Sequence, residues 1–430
     1  MIRAPMQGRL RHSFAAVAVA LGLASCQPEP VDPNPPEPPK SLEHAEVAEV
    51  ADIVRPFQVP LDLEKLEVEV ADTTTARDDI MKLAEVAVRS SHFDVMWQMR
   101  RILEARPRYG SVNRVIEAVA EAKLPRAPVY YSTERKALVF RQEWQDNLVG
   151  VRPWTAHHLV YASYDQAPGG LITMLADQGQ KTDSIRVRQC LLEGQARLVE
   201  VATALAADGN TLGDVDVSAV VQAPTAFVGG ETDTPCEAGV RLLMKAYTEH
   251  GWENIAAAIR KPPESTEQLL HPEKIGVDFP AFVGLPRWPQ NAGQGTLIHD
   301  DTLGELTIYR LLRERGIPER DARLASVGWD GDHLKVFAIP SGARVTVWRS
   351  LWDRDLDARQ FANAIMPKKH DDPQVFRVVQ TGRIVDCVST SSEALAKIFA
   401  ERLAAIAETP RPEETDVATT KAVEARLYAP

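Results

Sequence analysis

In the stretch "TAHHLVYASYDQ", residues 155–166, His157 and Tyr161 stand four positions apart. On a helix that spacing puts both side chains on one face, a turn apart. An H-E-x-x-H helix holds zinc at the same spacing: two imidazoles grip the ion, and the Glu after the first takes a proton from metal-bound water. In this chain Tyr161 stands where the second imidazole would be, and His158 stands where the Glu would be. A phenol ligates well only as phenolate, and with a pKa of about 10 its proton is costly to displace. His158 follows His157 directly, so it points about 100° away and does not easily reach the same ion. An imidazole also cannot match a carboxylate's charge as a base beside a cation. Three readings stay open: an unrelated helix, an unusual metal site, and a peptidase site that has lost its chemistry.

A third ligand must come from another element. The long apolar face of "TDSIRVRQCLLEGQARLVEVATALAADGN" predicts a helix opened by Thr182 or Asp183 and stopped at Gly209-Asn210, and it carries Glu193. Upstream, "APVYYSTERKALVF" reads as a hairpin, preceded by helices from Ser41, around 78–106 and from Ser111, and by a charged strand in "LDLEKLEVEV". Downstream, "EAGVRLLMKAYTEHG", "WENIAAAIRKP" and "DTLGELTIYRLLRERG" read as helices. Hairpins turned at Ser341-Gly342 and Thr381-Gly382 follow, each leading into a further helix. The fold class expected is α+β, mostly helical, with peripheral β-hairpins.

From about Val129 to Leu403 the chain resembles a family of bacterial zincin-like lipoproteins with a thermolysin-type zinc helix. The resemblance rests on "AHHLVYASYDQ" (156–166), "LEGQARLVE" (192–200) and "PPESTEQLLHPEK" (262–274), then on "DTLGEL" (301–306), "GWDGDHLKVF" (328–337) and "LWDRDLDARQFANAI" (351–365), all in the family's order. The family's zinc helix reads A-H-E-L-x-H-A-L-Q-D-Q and its next helix E-G-D-A or E-G-E-A. By this resemblance His157 matches the first zinc ligand and Glu193 the third. Tyr161 replaces the second His, His158 the general base, and Gln195 the acid two positions after Glu193. The resemblance implies a zincin-like domain over 129–408 in which His157 and Glu193 are vestigial ligands and no residue is catalytic. Two good ligands do not normally hold zinc against water, so no cofactor is expected. Glu193, buried for a metal, then needs another partner, and a His157–Glu193 hydrogen bond would satisfy both.

Other metal-like spacings have plainer readings. His271 in its proline-flanked loop suits a turn cap. Asp330, Asp332 and His333 stand at a Gly-rich turn where aspartates cap backbone donors. The acids of "DGNTLGDVD" lack the Gly and terminal Glu of a calcium loop.

The first 25 residues carry Arg3, Arg9 and Arg11, no acid and a short apolar run, which reads as a signal peptide closing on the lipobox-like Leu23-Ala24-Ser25-Cys26. Lipidation of Cys26 would anchor a soluble domain without a spanning helix; an ordinary signal peptide with a chance Cys is the alternative. Residues 26–40 form a Pro-rich tether. Residues 41–128 form a helical lead-in that the resemblance does not cover, and 409–430 a loose tail. Gln27 is not the Asp that retains such proteins at an inner membrane. The location expected is therefore the outer membrane, facing the periplasm or the cell surface. The chain carries a formal net charge of −11, more negative once the arginine-bearing leader is removed, which argues against nucleic acid. Cys190, Cys236 and Cys387 then remain. One pair could form, and the sequence does not say which; three buried thiols are expected. The expected partners are membrane lipid through Cys26 and an extended peptide or envelope protein. The function expected is a membrane-anchored pseudopeptidase that works by binding, with an active zinc metallopeptidase and a ligand-free structural lipoprotein as alternatives.

Overall fold

A computed structural model describes residues 41–90, 96, 99–100, 102–103, 111–124, 127–171, 181–222, 236–290, 292–367 and 375–406. The expected signal peptide, Cys26, the expected tether and the 409–430 tail lie outside the described residues. The class is α+β and mostly helical, with two sheets. Among the described residues no helix is long and apolar enough to cross a membrane.

Helix α1 (Leu42–Val54) opens at Ser41, whose hydroxyl accepts from the His44 amide. Strand β1 (Glu67–Ala71), helix α2 (Thr73–Ser90) and helix α3 (Val112–Lys123), capped by Ser111, follow. Strands β2 (Val129–Ser132) and β3 (Ala137–Arg141) form the predicted hairpin, and β1 joins it parallel to β3, giving the order β1-β3-β2. The residues before Val129 are therefore not a separate lead-in. They supply a strand to the first sheet, and Val47, Val50 and Val54 of α1 share a core with Leu159 and Val160. The charged strand "EVEVA" buries only Ala71, so neither its pairing nor its partner could be read from its pattern.

Helix α4 (Arg152–Gln166) carries the two histidines and packs on β2 and on α5 (Thr182–Ala206). Helices α6 (Val217–Gln222), α7 (Glu237–His250), α8 (Trp252–Arg260) and α9 (Thr266–Leu270) follow. Helix α7 crosses α5 backbone to backbone: a Cβ built on Gly239 would fall 2.0 Å from the Cys190 carbonyl oxygen, and one on Gly194 2.8 Å from the Gly239 carbonyl carbon. Cys190 and Cys236 are joined there as a disulfide, while Cys387 is buried and free. The expectation of three thiols is corrected. The two cysteines lie 46 residues apart, and only the helix crossing brings their Cα atoms to 4.8 Å. Replacing both cysteines by Ala should cost about 4 kcal/mol, the entropy of releasing a loop of that length in the unfolded chain. Urea unfolding checks this. Adding reductant should shift the wild-type midpoint toward that of the variant and leave the variant unmoved.

The second sheet is antiparallel, in the order β4-β5-β6-β8-β7. Its strands are β4 (Thr296–Asp301), β5 (Trp329–Ala338), β6 (Arg344–Trp352), β7 (Val375–Thr381) and β8 (Ile384–Thr390). Between them run α10 (Gly304–Glu314), α11 (Glu319–Ser326) and α12 (Asp355–Ile365), with α13 (Glu393–Ala404) last. Both hairpins turn where predicted, with Gly342 and Gly382 at positive φ. Strand β4 carried no legible signal, since it exposes Leu297 and Ile298 and ends in two aspartates.

A polar knot ties this sheet to α5. Asp332 accepts from the Leu303 and Gly304 amides, both at 2.9 Å, and so caps α10; it also accepts from the indoles of Trp329 at 2.9 Å and Trp348 at 3.2 Å. Asp301 accepts from the Thr182 amide (2.7 Å) and hydroxyl (2.6 Å). Asp183 accepts from the Thr266 amide (3.0 Å) and hydroxyl (2.5 Å). The start of α5 is thus capped across the fold by Asp301 and not by its own Thr182 or Asp183. Gly304 has φ +77°, and a Cβ there would meet Asp183 Oδ1 at 1.7 Å, so only glycine fits. Burial, with the neighbouring Asp332 and Asp301 charges, pushes the Asp183 carboxyl up to about 8. Three facing carboxylates do not all ionise in one dry knot.

Candidate functional site

Helix α4 is buried around nearly its whole circumference from Thr155 to Ser163. Its last residues are structural. Asp165 accepts from Tyr131 (2.7 Å), Lys136 (2.6 Å) and the Leu171 amide (3.1 Å). Gln166 exchanges two 2.8 Å hydrogen bonds with the backbone of Asp62. The Asp-Gln end of the stretch therefore fixes α4 to the first sheet and to the segment before it.

One turn back the chemistry begins. His157 is 1% exposed, and its Nδ1 donates to Glu200 Oε2 at 2.9 Å. Arg197 Nη1 donates to the other Glu200 oxygen at 2.6 Å, and Arg197 Nε to the Val220 carbonyl at 3.1 Å. His157 Nε2 is buried and has no hydrogen-bond partner among the described residues. This is how a ligating imidazole is usually held, with one nitrogen on a carboxylate and the other carrying a free lone pair. The expected His157–Glu193 hydrogen bond is corrected by this arrangement, because the carboxylate on His157 belongs to Glu200. Glu193 and Glu200 stand seven apart, nearly two turns, so both lie on the face of α5 that meets α4. That seven-residue spacing is the signal the sequence carries for Glu200.

Glu193 accepts a hydrogen bond from the Tyr161 hydroxyl. Burial first, and then the Glu193 charge, raises the Tyr161 pKa well above the ordinary phenol value, so the phenol keeps its proton. The Tyr161 ring lies roughly parallel to that of His157, with centroids 5.6 Å apart. The His158 ring turns back to within 5.0 Å of His157 and 5.5 Å of Tyr161, closer than a 100° separation on the helix suggests. Tyr164, one turn on, donates to Gln195 at 2.9 Å. Gln195, where the resemblance has a second acid, is thus a hydrogen-bond acceptor for a tyrosine.

The donor set does not fit a resident zinc. The Glu193 oxygen that would ligate is engaged by a protonated phenol, and His157 offers a single lone pair. Among the described residues, three or more His, Cys, Asp or Glu ligand atoms lie within 4.8 Å of one another only at Glu267, Asp278 and Asp353, far along the chain. That group already encloses a cation: the Lys274 ammonium lies 2.5 Å from Glu267 and 3.0 Å from each of the other two. The Lys274 pKa is raised by these three hydrogen-bonded carboxylates against the opposing effect of burial. His271, in the same loop as Lys274, bonds to Glu305 of α10 at 3.1 Å and is tied into the fold. Asp330 pairs with Arg383 at 2.6 Å, and His333 bridges the Val283 carbonyl and Asp300. In "DGNTLGDVD", Asp214 closes a capping box with Thr211, and Asp216 accepts from the Ser218 amide at 2.7 Å.

Residues 295–397 match a family described as a domain of unknown function, DUF8575. The match spans the second sheet with α10 to α12 and the start of α13, and does not reach α4 or α5. No curated protein and no solved structure matches the chain.

Proposed function

We propose that this chain is an exported, lipid-anchored protein with a zincin-like fold, whose α4–α5 pair is a zinc-peptidase site converted to binding an extended peptide or an envelope protein. The observation that carries the reading is the Tyr161 hydroxyl on Glu193. A hydrogen bond from a neutral phenol satisfies the carboxylate that a metal would otherwise balance, beside an imidazole still held as a ligand is held. The replacement of the base by His158 removes the group that would activate water. A disulfide within the fold accords with an oxidising compartment. β-Augmentation along a sheet edge binds peptide without any metal.

Elemental analysis of the purified wild type tests the reading. Far less than one zinc per chain is expected, with no peptide hydrolysis above background. Stoichiometric zinc together with cleavage blocked by a chelator would establish the active metallopeptidase instead. The anchor has its own test. Cys26→Ala should leave the precursor without lipid and move the protein from the membrane pellet to the soluble fraction, because the acyl chains alone hold it there. Palmitate incorporation that persists in the variant would sink the lipobox reading.

A further inference from the structure

Residues 275–286, "IGVDFPAFVGLP", run between Lys274 and Arg287 without helix or strand. The segment is nevertheless pinned to the body of the fold. The Val277 and Asp278 amides donate to the Lys274 carbonyl at 3.1 and 2.9 Å, and Gln268 Nε2 donates to the Asp278 carbonyl at 2.7 Å. The Ala281 amide donates to the Asp330 carbonyl of β5 at 2.6 Å, and His333 Nδ1 donates to the Val283 carbonyl at 2.8 Å. Ala281 lies so close to β5 that a Cβ built on Gly331 would fall 2.4 Å from its carbonyl oxygen. Between these pins the apolar side chains face outward: Val277 is 80% exposed, Phe282 70%, Phe279 51% and Ile275 40%. Asp278 is the one charged residue in the segment, and its carboxylate turns inward to the Lys274 ammonium at 3.0 Å. The outer side of a firmly held loop therefore presents carbon and no charge. Apolar side chains exposed singly need no explanation, but four within eight residues mark a contact surface.

We propose that the 275–282 loop docks on the surface of a phospholipid bilayer, with Val277, Phe279 and Phe282 entering the boundary between headgroups and acyl chains. The size of the surface argues for lipid over a second copy of the chain. With about 150–250 Å² on each aromatic ring, four part-exposed side chains offer a few hundred Å², well under the roughly 800 Å² per partner of a stable protein interface. A shallow apolar contact needs no such area when another group already holds the chain at the membrane. The charges agree with neutral lipid. The loop has no Lys or Arg to meet an anionic headgroup, and the chain as a whole carries −11. Irregular backbone is not tolerated inside hydrocarbon, so the loop stays at interfacial depth and only its side chains go deeper. The choice of a bilayer rests in part on the Cys26 anchor proposed above; the apolar surface rests on the loop alone.

The test places a polarity-sensitive fluorophore on Val277→Cys in the full chain carrying Cys26→Ala. The remaining cysteines do not compete for the label, since Cys190 and Cys236 are joined and Cys387 is buried. The exposed Glu249→Cys on α7 serves as the control position. The label reads this loop alone, whatever else holds the chain to a vesicle. Adding vesicles of phosphatidylcholine and phosphatidylethanolamine should shift the emission at 277 to the blue and cut its quenching by aqueous iodide at least threefold. High salt should not reverse the change, because the contact is apolar. The label at 249 should not respond. Phe279→Ser with Phe282→Ser should abolish the change at 277, since two aromatic rings carry most of the buried carbon. If that pair fails to fold, Phe282→Ser alone should at least halve the protection. The same label in a lipidated chain, with Cys26 intact and acylated, should be protected as well. A label at 277 that stays in water in both chains would overturn the inference, as would protection that survives loss of both rings or appears equally at 249. A blue shift without vesicles that grows with protein concentration would assign the surface to a second copy instead. Protection at 277 in a chain that takes up no palmitate would keep the loop's docking and remove the Cys26 anchor.

Discussion

The double substitution His158→Glu with Tyr161→His is expected to turn a chain that purifies nearly free of zinc into one that holds about one zinc per molecule. Two parts of the site already stand. His157 keeps its Nδ1 on Glu200, leaving Nε2 without a hydrogen-bond partner among the described residues, and Glu193 meets α4 one turn on, at Tyr161. A histidine at position 161 removes the phenol that occupies Glu193 and supplies the missing imidazole one turn from His157. With two imidazoles and a carboxylate the set is that of a catalytic zinc site with one open position. The gain in zinc affinity should be at least on the order of a thousandfold, since a strong metal–ligand bond is added and a part-buried carboxylate is freed for the ion. Glutamate at 158 supplies the base, so any peptide hydrolysis should appear only in the double variant and vanish with a chelator. Calorimetric titration with zinc checks the affinity. A double variant that folds but binds zinc no better than wild type would show that α4 and α5 stand in the wrong relation for a metal.

Asp332→Ala should be among the most damaging single changes to stability. Its carboxylate takes four buried donors, the Leu303 and Gly304 amides and the indoles of Trp329 and Trp348. The alanine accepts none of them. A buried donor left unsatisfied costs about 1–3 kcal/mol, so the sum is roughly 4 kcal/mol or more, a large part of the 5–15 kcal/mol that typically holds a domain. Burial pushes the Asp332 carboxyl up to about 6 against the pull of these same donors, which agrees with a site that is dry but fully bonded. Urea unfolding followed by tryptophan fluorescence reads the effect directly, because two of the orphaned donors are indoles. A midpoint close to wild type would mean that water replaces the carboxylate and that the knot does not hold α10 in place.

These two expectations divide along what could be read and what could not. The i, i+4 pair His157–Tyr161 was legible, because a helix imposes its period on any sequence that forms it. The partner on His157 was not, because Glu193 and Glu200 lie on one face of α5 and only the packing of α4 decides which of them each side chain meets. The hairpin turns at Gly342 and Gly382 were legible from local backbone chemistry. The pairing of β1 with β3 was not, since a strand that buries one residue carries no register in its own pattern.

By itself the sequence determined the α+β class, most helices with their capping serines, and the His157–Tyr161 pair at i, i+4 that lacks the Glu and second His of an H-E-x-x-H helix. All of these follow from short-range rules: helical period, turn geometry, and the ligand chemistry of one side chain. The tertiary structure alone decided that Cys190 meets Cys236, that Glu200 orients His157, that Tyr161 satisfies Glu193, and that Lys274 fills the cage of Glu267, Asp278 and Asp353. Each is a contact between groups from 4 to 79 residues apart. Burial sets the strength of such contacts, and burial exists only once the elements have packed.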